Sequence, residues 1–244
     1  MERTCPPPRP PGRGAALPVG CDAHGMRGWQ QLGSTGQRSG YTVMEAADPW
    51  SVLTEAGWSV EFTTVQGGPP PEDGFDQAPM PLVPAFRADE GVQHKLEHAP
   101  KPEDVDPDSF DLVFYVGGHG AMWDFPRNAD LERIGARVYE NGGIVAAVCH
   151  GPAVFVNLRL SDGTPLVAGK NMTGFSNLEE RTIHRETIVP FLLQTTLEGL
   201  GAHYSSAGFM EPHVVSDDRL VTGQNPVSAL GVARAAVSHY ENPR

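Results

Sequence analysis

One cysteine lies where an α/β protein could place a nucleophile. Cys149 directly follows the apolar run Ile144–Val148 and precedes His-Gly-Pro, in the stretch AAVCHGPA. A strand, a sharp turn and a helix in that order would expose the sulfur at the edge of a sheet, as in a nucleophile elbow. We expect a helix from Gly151, whose N-terminus would favour the thiolate. The alternative is a buried, unreactive cysteine at a strand end.

A nucleophilic cysteine needs a base, and the base needs a group that orients it. His150 directly follows Cys149, and its imidazole could lie beside the sulfur if the turn is tight. Glu179, Glu180 and His184 are downstream candidates for the orienting group. The two glutamates could also be ordinary acidic residues at the start of a helix. Spacing alone leaves these alternatives open.

A second glycine-rich turn, GGHG at residues 117–120, follows the apolar run at residues 110–116. Its N–H groups could bind an oxyanion, although a simple tight turn would have the same sequence. The turn is not a dinucleotide-binding motif, and the chain has no P-loop. Glu45, in GYTVMEAADPW, is a surface glutamate by spacing alone. The histidines form no HxxxH or HExxH pair, so we expect neither a metal nor another cofactor.

Apolar strands alternate with helical segments along the chain, which is typical of an α/β fold with a parallel sheet. In such sheets the ligand crevice lies beyond the carboxyl ends of the strands. The pattern predicts strands at 58–65, 110–116, 144–148 and 220–222, a loop at 66–84, and helices at 44–56, 128–141, within 179–199 and at 226–240.

The N-terminal region has little regular pattern. Residues 1–20 contain six prolines and three glycines, which predicts a disordered tail. Residues 21–39 also lack hydrophobic periodicity.

Composition excludes several classes of protein. The chain has 244 residues and a net charge of −12, which argues against a nucleic-acid partner and against a polybasic membrane-surface protein. The longest apolar stretch, residues 142–156, is shorter than the roughly 18 residues of a membrane span. Three cysteines, Cys5, Cys21 and Cys149, do not form a disulfide framework, and no secretory signal is evident. We therefore expect a soluble, cytoplasmic protein.

Four stretches taken together resemble one known family. AAVCHGPA, GGHGAMWDFP, DGTPLVAGKNMTGFSNLEE and DRLVTGQNP occur in the order found in the DJ-one/PfpI superfamily of class I glutamine-amidotransferase-like proteins. The resemblance is greatest to the glutathione-independent glyoxalases (glyoxalase III, D-lactate dehydratase), a branch that includes holding chaperones. It implies a flavodoxin-like α/β sandwich, with a mostly parallel central sheet and helices on both faces, in a homodimer. The family domain would span residues 33–244, after a disordered or atypical segment at 1–32.

The resemblance also implies roles for particular residues. Cys149 would be the nucleophile, His150 its partner, Glu180 the acidic member of the triad and Glu45 a second essential glutamate. Gly118 and His150 would supply the N–H groups of an oxyanion hole. The implied reaction converts methylglyoxal, a small aldehyde, and water into D-lactate without metal or glutathione. The alternatives are a holding chaperone in which Cys149 senses oxidation, and another small-molecule hydrolase of the same superfamily.

One feature departs from the family pattern. The family opens with a hydrophobic strand shortly before the GYxxxE pattern that contains Glu45. Here that place holds CDAHGMRGWQQLGSTGQRSG, which has no run of β-branched residues. Either residues 21–39 form a poor strand, or the start of this chain is not the natural one. The anchoring of Glu45 is therefore in question.

Overall fold

The computed structural model describes residues 14–19, 32–74 and 79–242, and its centre is a six-stranded sheet. In chain order the strands are β1 (Gly14–Val19), β2 (Ser59–Thr64), β3 (Phe110–Tyr115), β4 (Ile144–Val148), β5 (Asn171–Met172), β6 (His203–Tyr204), β7 (Val214–Asp217) and β8 (Leu220–Gly223). The main sheet has the order β2-β1-β3-β4-β8-β7, and only the edge strand β7 runs antiparallel to its neighbour. Strands β5 and β6 form a separate parallel pair.

Eight helices accompany these strands in the described residues. They are α1 (Val43–Glu55), α2 (Val83–Ala88), α3 (Glu90–Glu97), α4 (Ala121–Asp124), α5 (Ala129–Glu140), α6 (Asn177–Thr182), α7 (Leu193–Gly199) and α8 (Ala229–Glu241). Helices α1 and α8 pack against each other, and α8 covers β4 and β8, whereas α5 packs against β3 and β4. Strands β3 and β4 are buried along nearly their whole length. The predicted flavodoxin-like α/β sandwich is confirmed.

Most predicted elements are present with small shifts of their ends. The predicted helical segment within 179–199 is two short helices, α6 and α7, and the sequence reading missed α2 and α3. The helix expected after Cys149 is instead a short 3₁₀ helix, Gly151–Val156, in which Ala153 N–H donates to the His150 carbonyl at 2.9 Å. Its short length gives little of the dipole expected there. Within the described residues, no helix is long and apolar enough to cross a bilayer.

The first strand of the family pattern, which we expected within residues 21–39, is β1, and it lies in the segment predicted to be a disordered tail. Strand β1 pairs in parallel with β2 on one side and β3 on the other. The prediction of disorder is therefore wrong for residues 14–19. Ala15, Ala16 and Leu17 are buried, and this apolar burial outweighs the proline-rich composition around them. Pro18 lacks an N–H, but its carbonyl still accepts the Val116 N–H at 3.1 Å.

Residues 21–39 do not supply that strand in the part that the structure describes. Residues 32–37 form a turn closed by the Leu32 N–H, which donates to the Gln37 carbonyl at 2.8 Å. The alternative of a poor strand in residues 21–39 is thus wrong for 32–37. The predicted disorder of residues 1–13 and the reading of residues 20–31 lie outside the described residues.

The strand order creates a crevice at one edge of the sheet. The chain passes from β1 outward to β2 and then returns to β3 on the other side of β1. This reversal is a topological switch point, where α/β proteins bind ligands beyond the carboxyl ends of the strands. Helix α1 starts near this point, the GGHG turn follows β3 and Cys149 follows β4. The topology thus gathers Glu45, Gly118 and Cys149 from three separate segments.

Candidate active site

Cys149 lies in a strained turn at the carboxyl end of β4. Its φ of 57° falls in the left-handed region, which a residue with a side chain rarely adopts. Its N–H donates to the Gly223 carbonyl at 2.9 Å, and its carbonyl accepts the Phe175 N–H at 2.8 Å. These two hydrogen bonds hold the strained backbone in place. The side chain, 3% exposed, lines a cavity of about 380 Å³.

His150 lies beside the sulfur, as the sequence suggested for a tight turn. Its Nδ1 is 3.4 Å from Cys149 Sγ, and its Nε2 is 2.9 Å from Glu180 Oε2. The imidazole is fully buried and packs on the Phe175 ring, with centroids 4.4 Å apart. Of the three candidates for the orienting group, Glu180 is the one that contacts His150. His184 is exposed.

Glu180 also binds a second imidazole, which the sequence reading gave no role in the triad. His119 Nε2 is 3.0 Å from Glu180 Oε1, and Arg185 Nη1 is 2.9 Å from His119 Nδ1. Because a guanidinium can only donate, His119 Nδ1 accepts and its Nε2–H donates to Glu180. Burial and the neighbouring His150 lower the pKa of His119 to about 3, which keeps it neutral.

The protonation of the triad follows from the surroundings of Glu180. Burial alone would raise the pKa of Glu180, but the charge of His150 and the hydrogen bonds from both imidazoles lower it well below its ordinary value. Glu180 is therefore ionised and accepts hydrogen bonds on both oxygens. Because Glu180 Oε2 accepts, His150 Nε2 carries a proton, and Nδ1 is the ring nitrogen that faces the Cys149 sulfur.

Glu45 is buried in the first turn of α1 and is not on the surface. Its side chain is 0% exposed, so the surface reading is wrong. Gly117 N–H donates to Glu45 Oε2 at 2.9 Å, and Thr42 N–H donates to the Gly117 carbonyl at 3.2 Å. The turn after β3 thus anchors Glu45. Burial, and to a smaller extent Asp73, raise the pKa of Glu45 well above its ordinary value.

Glu45 and Cys149 lie close together at the Gly117 turn, where a Cβ added to Gly117 would clash with both Glu45 Oε2 and Cys149 Cβ. Burial, Glu45 and Glu179 raise the pKa of the Cys149 thiol well above its ordinary value, whereas the Gly118 N–H lowers it. The expected stabilisation of a free thiolate is therefore wrong for the resting site. A carboxyl and a thiol in a dry site cannot both ionise cheaply, so the pair holds one proton in common.

Gly118 provides a backbone donor beside the sulfur that only glycine allows. Its φ is 108°, and a Cβ there would lie 2.4 Å from the Gly40 carbonyl oxygen and 2.6 Å from Tyr41 Cα. The close approach of residues 40–42 to this turn is what brings Gly118 N–H toward Cys149. The structure thus places Gly118 at the nucleophile, where the sequence suggested an oxyanion hole.

The remaining walls of the cavity come from residues that sequence reasoning missed. They are polar on one side and apolar on the other: Thr42, Asp73, Thr182, Arg185, Phe175, Ile183, Phe209, Met210 and Pro226. Thr42 Oγ1 donates to Asp73 Oδ2 at 2.7 Å, which places a second carboxylate near Glu45. For His119, the only indication in the sequence was its place in the glycine-rich turn at residues 117–120. Most of the others lie in loops, whereas Thr182 ends α6 and Pro226 begins a short 3₁₀ helix, and their local patterns give no indication of a site.

One group of described residues could hold a metal ion. The ligating atoms of His119, His150 and Glu180 all lie within 4.8 Å of one another. Each imidazole Nε2, however, is already hydrogen-bonded to one Glu180 oxygen. Arg185 adds a positive charge at His119 Nδ1, which opposes binding of a cation. The group therefore fits better as a carboxylate held between two imidazoles than as a metal site.

This fold and this site define the class of protein. A cysteine in a strained elbow after β4, a histidine and glutamate beside it, and a buried glutamate from α1 all meet at the switch point of a flavodoxin-like sheet. Residues 38–239 match the DJ-1/PfpI family, and the chain belongs to that family.

Two curated relatives cover most of the chain. Glyoxalase 3 of Candida albicans is 33% identical over 224 residues, which are 85% of this chain and 92% of that protein. The glutathione-independent glyoxalase HSP31 of Saccharomyces cerevisiae is 31% identical over 225 residues, 86% of this chain and 92% of that one. The crystal structure of glyoxalase III from Candida albicans superposes with a TM-score of 0.80 at 29% identity, covering 93% of this chain and 96% of that one.

Proposed function

We propose that this chain is a glutathione-independent glyoxalase that converts methylglyoxal and water into D-lactate through a covalent adduct on Cys149. The observation that carries the proposal is the proximity of two buried side chains, since a Cβ on Gly117 would clash with both Glu45 Oε2 and Cys149 Cβ. It places a proton-transferring group beside a nucleophile, as a 2-oxoaldehyde isomerisation requires. The names of the two curated relatives support the same reaction.

In the first step the Cys149 sulfur adds to the aldehyde carbon. The new C–S bond forms as the carbonyl electrons move to oxygen, and the N–H groups of Gly118 and His150 stabilise the resulting alkoxide. The proton shared by Cys149 and Glu45 then neutralises that oxygen. The product is a hemithioacetal, and Glu45 is left as a carboxylate.

In the second step Glu45 moves a proton between adjacent carbons. It takes the proton from C1, which gives an enediolate; the C1 hydroxyl proton passes to the C2 oxygen, and Glu45 returns its proton to C2. The result is a lactoyl thioester on Cys149, which is an isomer of the hemithioacetal. Because a single carboxyl fixed by Gly117 delivers the proton, it reaches one face of C2. That geometry yields one enantiomer of lactate.

In the third step water releases the product. His150 Nδ1 faces the sulfur, and Glu180 holds the opposite nitrogen, so the neutral form of His150 accepts the proton of an attacking water on Nδ1. The thioester C–S bond breaks, lactate leaves, and the proton returns to the thiol. No electrons are gained or lost overall, so the reaction requires no redox cofactor.

The experiment that tests this function measures methylglyoxal consumption without glutathione, for the unmodified protein and for Cys149→Ser. The same two proteins are assayed for suppression of aggregation of a heat-denatured client. We expect Cys149→Ser to lose aldehyde consumption. A protein that suppresses aggregation through either version of residue 149 but never consumes the aldehyde would instead be a holding chaperone.

A further inference from the structure

Glu179, the glutamate beside the triad acid, is as deeply buried as the catalytic residues but faces a different part of the site. It is 0% exposed, and its carboxylate accepts four hydrogen bonds. On Oε2 the donors are the Ser176 N–H at 3.0 Å and the Ser176 hydroxyl at 2.8 Å. On Oε1 they are the Met210 N–H at 3.2 Å and the Asn225 amide at 2.9 Å. The mechanism above uses none of these contacts.

These bonds connect helix α6 to the loop that closes the cavity. Ser176 and Glu179 form the capping box of α6, the helix that carries Glu180. Met210 lies in the loop at residues 205–213, and it adopts a φ of 55°, which is strained for a residue with a side chain. The hydrogen bond to a buried carboxylate therefore holds a loop residue in a conformation that it would otherwise rarely adopt.

The anchored loop forms the apolar wall of the cavity. Phe209 and Met210 line it together with Phe175, Ile183 and Pro226. The Phe209 side chain is 41% exposed, so packing against other side chains does not account for its position at the mouth of the cavity. The cavity volume of about 380 Å³ falls within the roughly 300–1,000 Å³ typical of pockets for much larger ligands than three-carbon methylglyoxal.

From these contacts, and resting on the proposed glyoxalase function, we propose that Glu179 is a positioning residue for substrate selection. It holds Phe209 and Met210 as a wall that favours 2-oxoaldehydes carrying a bulky apolar substituent. Glu180 orients the base, and Glu179 shapes the space for the part of the substrate that does not react. The two neighbouring glutamates thus serve chemistry and selectivity from one helix.

The test compares kcat/KM for phenylglyoxal with kcat/KM for methylglyoxal. Both substrates use the same thiol, so their ratio cancels any change in the reactivity of Cys149. Glu179→Gln keeps one acceptor oxygen but places an amide NH₂ against donors, which breaks an anchor at Ser176 or at Met210. Phe209→Ala removes the wall itself. Glu211→Gln is the matched control, because Glu211 is an exposed carboxylate on the same loop, and its side chain accepts the Gly208 N–H at 3.1 Å.

We expect the unmodified protein to prefer phenylglyoxal. Glu179→Gln and Phe209→Ala lower the ratio by about tenfold, the lower end of what a hydrophobic pocket discriminates, and Glu211→Gln leaves it within about twofold. Should Glu179→Gln fail to fold, Glu179→Asp keeps the charge but shortens the reach, and the ratio again falls. A ratio that is unchanged in the folded Glu179 variant or in Phe209→Ala overturns the proposal.

A second measurement separates this proposal from the glyoxalase function. The rates at which N-phenylmaleimide and N-methylmaleimide alkylate Cys149 are compared by peptide mass mapping, since the two reagents differ only in their substituent. The phenyl-to-methyl rate ratio falls in Glu179→Gln and in Phe209→Ala if the wall is held as proposed. If that ratio falls but neither aldehyde is consumed, the proposed glyoxalase function is wrong, whereas the positioning of Phe209 and Met210 by Glu179 is supported. If it does not fall, Glu179 does not position the wall.

Discussion

The amide of Gly117 and the carboxylate of Glu45 meet at a distance that only a glycine permits. Gly117 N–H donates to Glu45 Oε2 at 2.9 Å. A Cβ on residue 117 would lie 2.4 Å from that same oxygen, and 2.9 Å from Cys149 Cβ. The glycine therefore fixes the carboxyl beside the nucleophile by its lack of a side chain as well as by its hydrogen bond.

Gly117→Ala should abolish most turnover, because its Cβ meets Glu45 Oε2 and also lies 2.6 Å from the Val148 carbonyl oxygen at the end of β4. The added methyl group displaces the Glu45 carboxyl, and a misplacement of about 1 Å can cost roughly 100-fold in rate. The measurement is kcat/KM for methylglyoxal. Gly199→Ala is the control, because a Cβ at residue 199 meets no atom within 4 Å. Equal activity of the two variants would mean that Glu45 need not lie where the structure places it.

Glu45→Gln should stabilise the protein against unfolding while it loses turnover. Burial raises the pKa of Glu45 in the folded state above its ordinary value of 4.5. A group with a raised folded pKa favours the unfolded state once the pH exceeds its ordinary pKa, so the native protein loses stability as the pH rises from 4.5. The neutral amide removes this loss.

The measurement is the difference in the free energy of unfolding between Glu45→Gln and the native protein at pH 5 and at pH 8. We expect the difference to favour the variant more strongly at pH 8. A difference that does not change with pH would show that Glu45 ionises as easily in the folded state as in the unfolded chain.

Glu180→Gln should reduce turnover by on the order of 100-fold or more, because the amide keeps one acceptor oxygen for two imidazoles and loses the charge that stabilises a protonated His150. Its folded pKa lies below the ordinary 4.5, so the stability that Glu180 contributes is present above that pH and is lost as the pH falls below it. The variant should therefore lose less stability on acidification. His184→Gln, at an exposed position of the next turn, serves as the control and should behave like the native protein.

Leu17→Ala should destabilise the protein by about 2–5 kcal/mol, as expected for a large-to-small change in a packed core. Leu17 is 0% exposed in β1, between β2 and β3. Urea denaturation measures the effect. Glu61→Ala in β2 removes an exposed carboxylate that pairs with Lys95 and should cost no more than about 1 kcal/mol. Equal effects would mean that β1 does not belong to the core.

The turn at Cys149 after β4 could be predicted from the sequence, whereas strand β1 could not, and the difference has a physical cause. Apolar runs such as Ile144–Val148 are buried on both faces and are recognisable without any knowledge of their neighbours. The strand Gly14–Val19 contains a proline, a glycine and two alanines, and only its neighbours on both sides explain its burial. The pattern of residues 14–19 alone therefore could not predict the pairing with β2 and β3.

The same distinction applies to the site. Cys149 and His150 are adjacent in the chain, so their pairing could be anticipated from sequence. The choice of Glu180 over Glu179 depends on which carboxylate the helix turns toward His150, and spacing cannot decide between adjacent residues. The burial of Glu45 depends on a turn 72 residues away and became visible only in three dimensions.

Dialysis against a chelator should leave turnover unchanged. The proposed chemistry uses the thiol, two carboxyl groups and backbone N–H groups, and each Nε2 in the His119, His150 and Glu180 group already has a hydrogen-bond partner. Activity with methylglyoxal is measured before and after treatment with EDTA. Loss of activity that added zinc restores would mean that this group binds a metal required for the reaction.

The most direct test of the account is the stereochemistry of the product formed from methylglyoxal by the purified protein without glutathione. Enantioselective chromatography of the lactate answers it. The account predicts D-lactate alone, formed by the native protein and absent with Cys149→Ala, because Glu45 delivers the proton to one face of an adduct held on Cys149. Racemic lactate, or D-lactate formed equally well by Cys149→Ala, would contradict it.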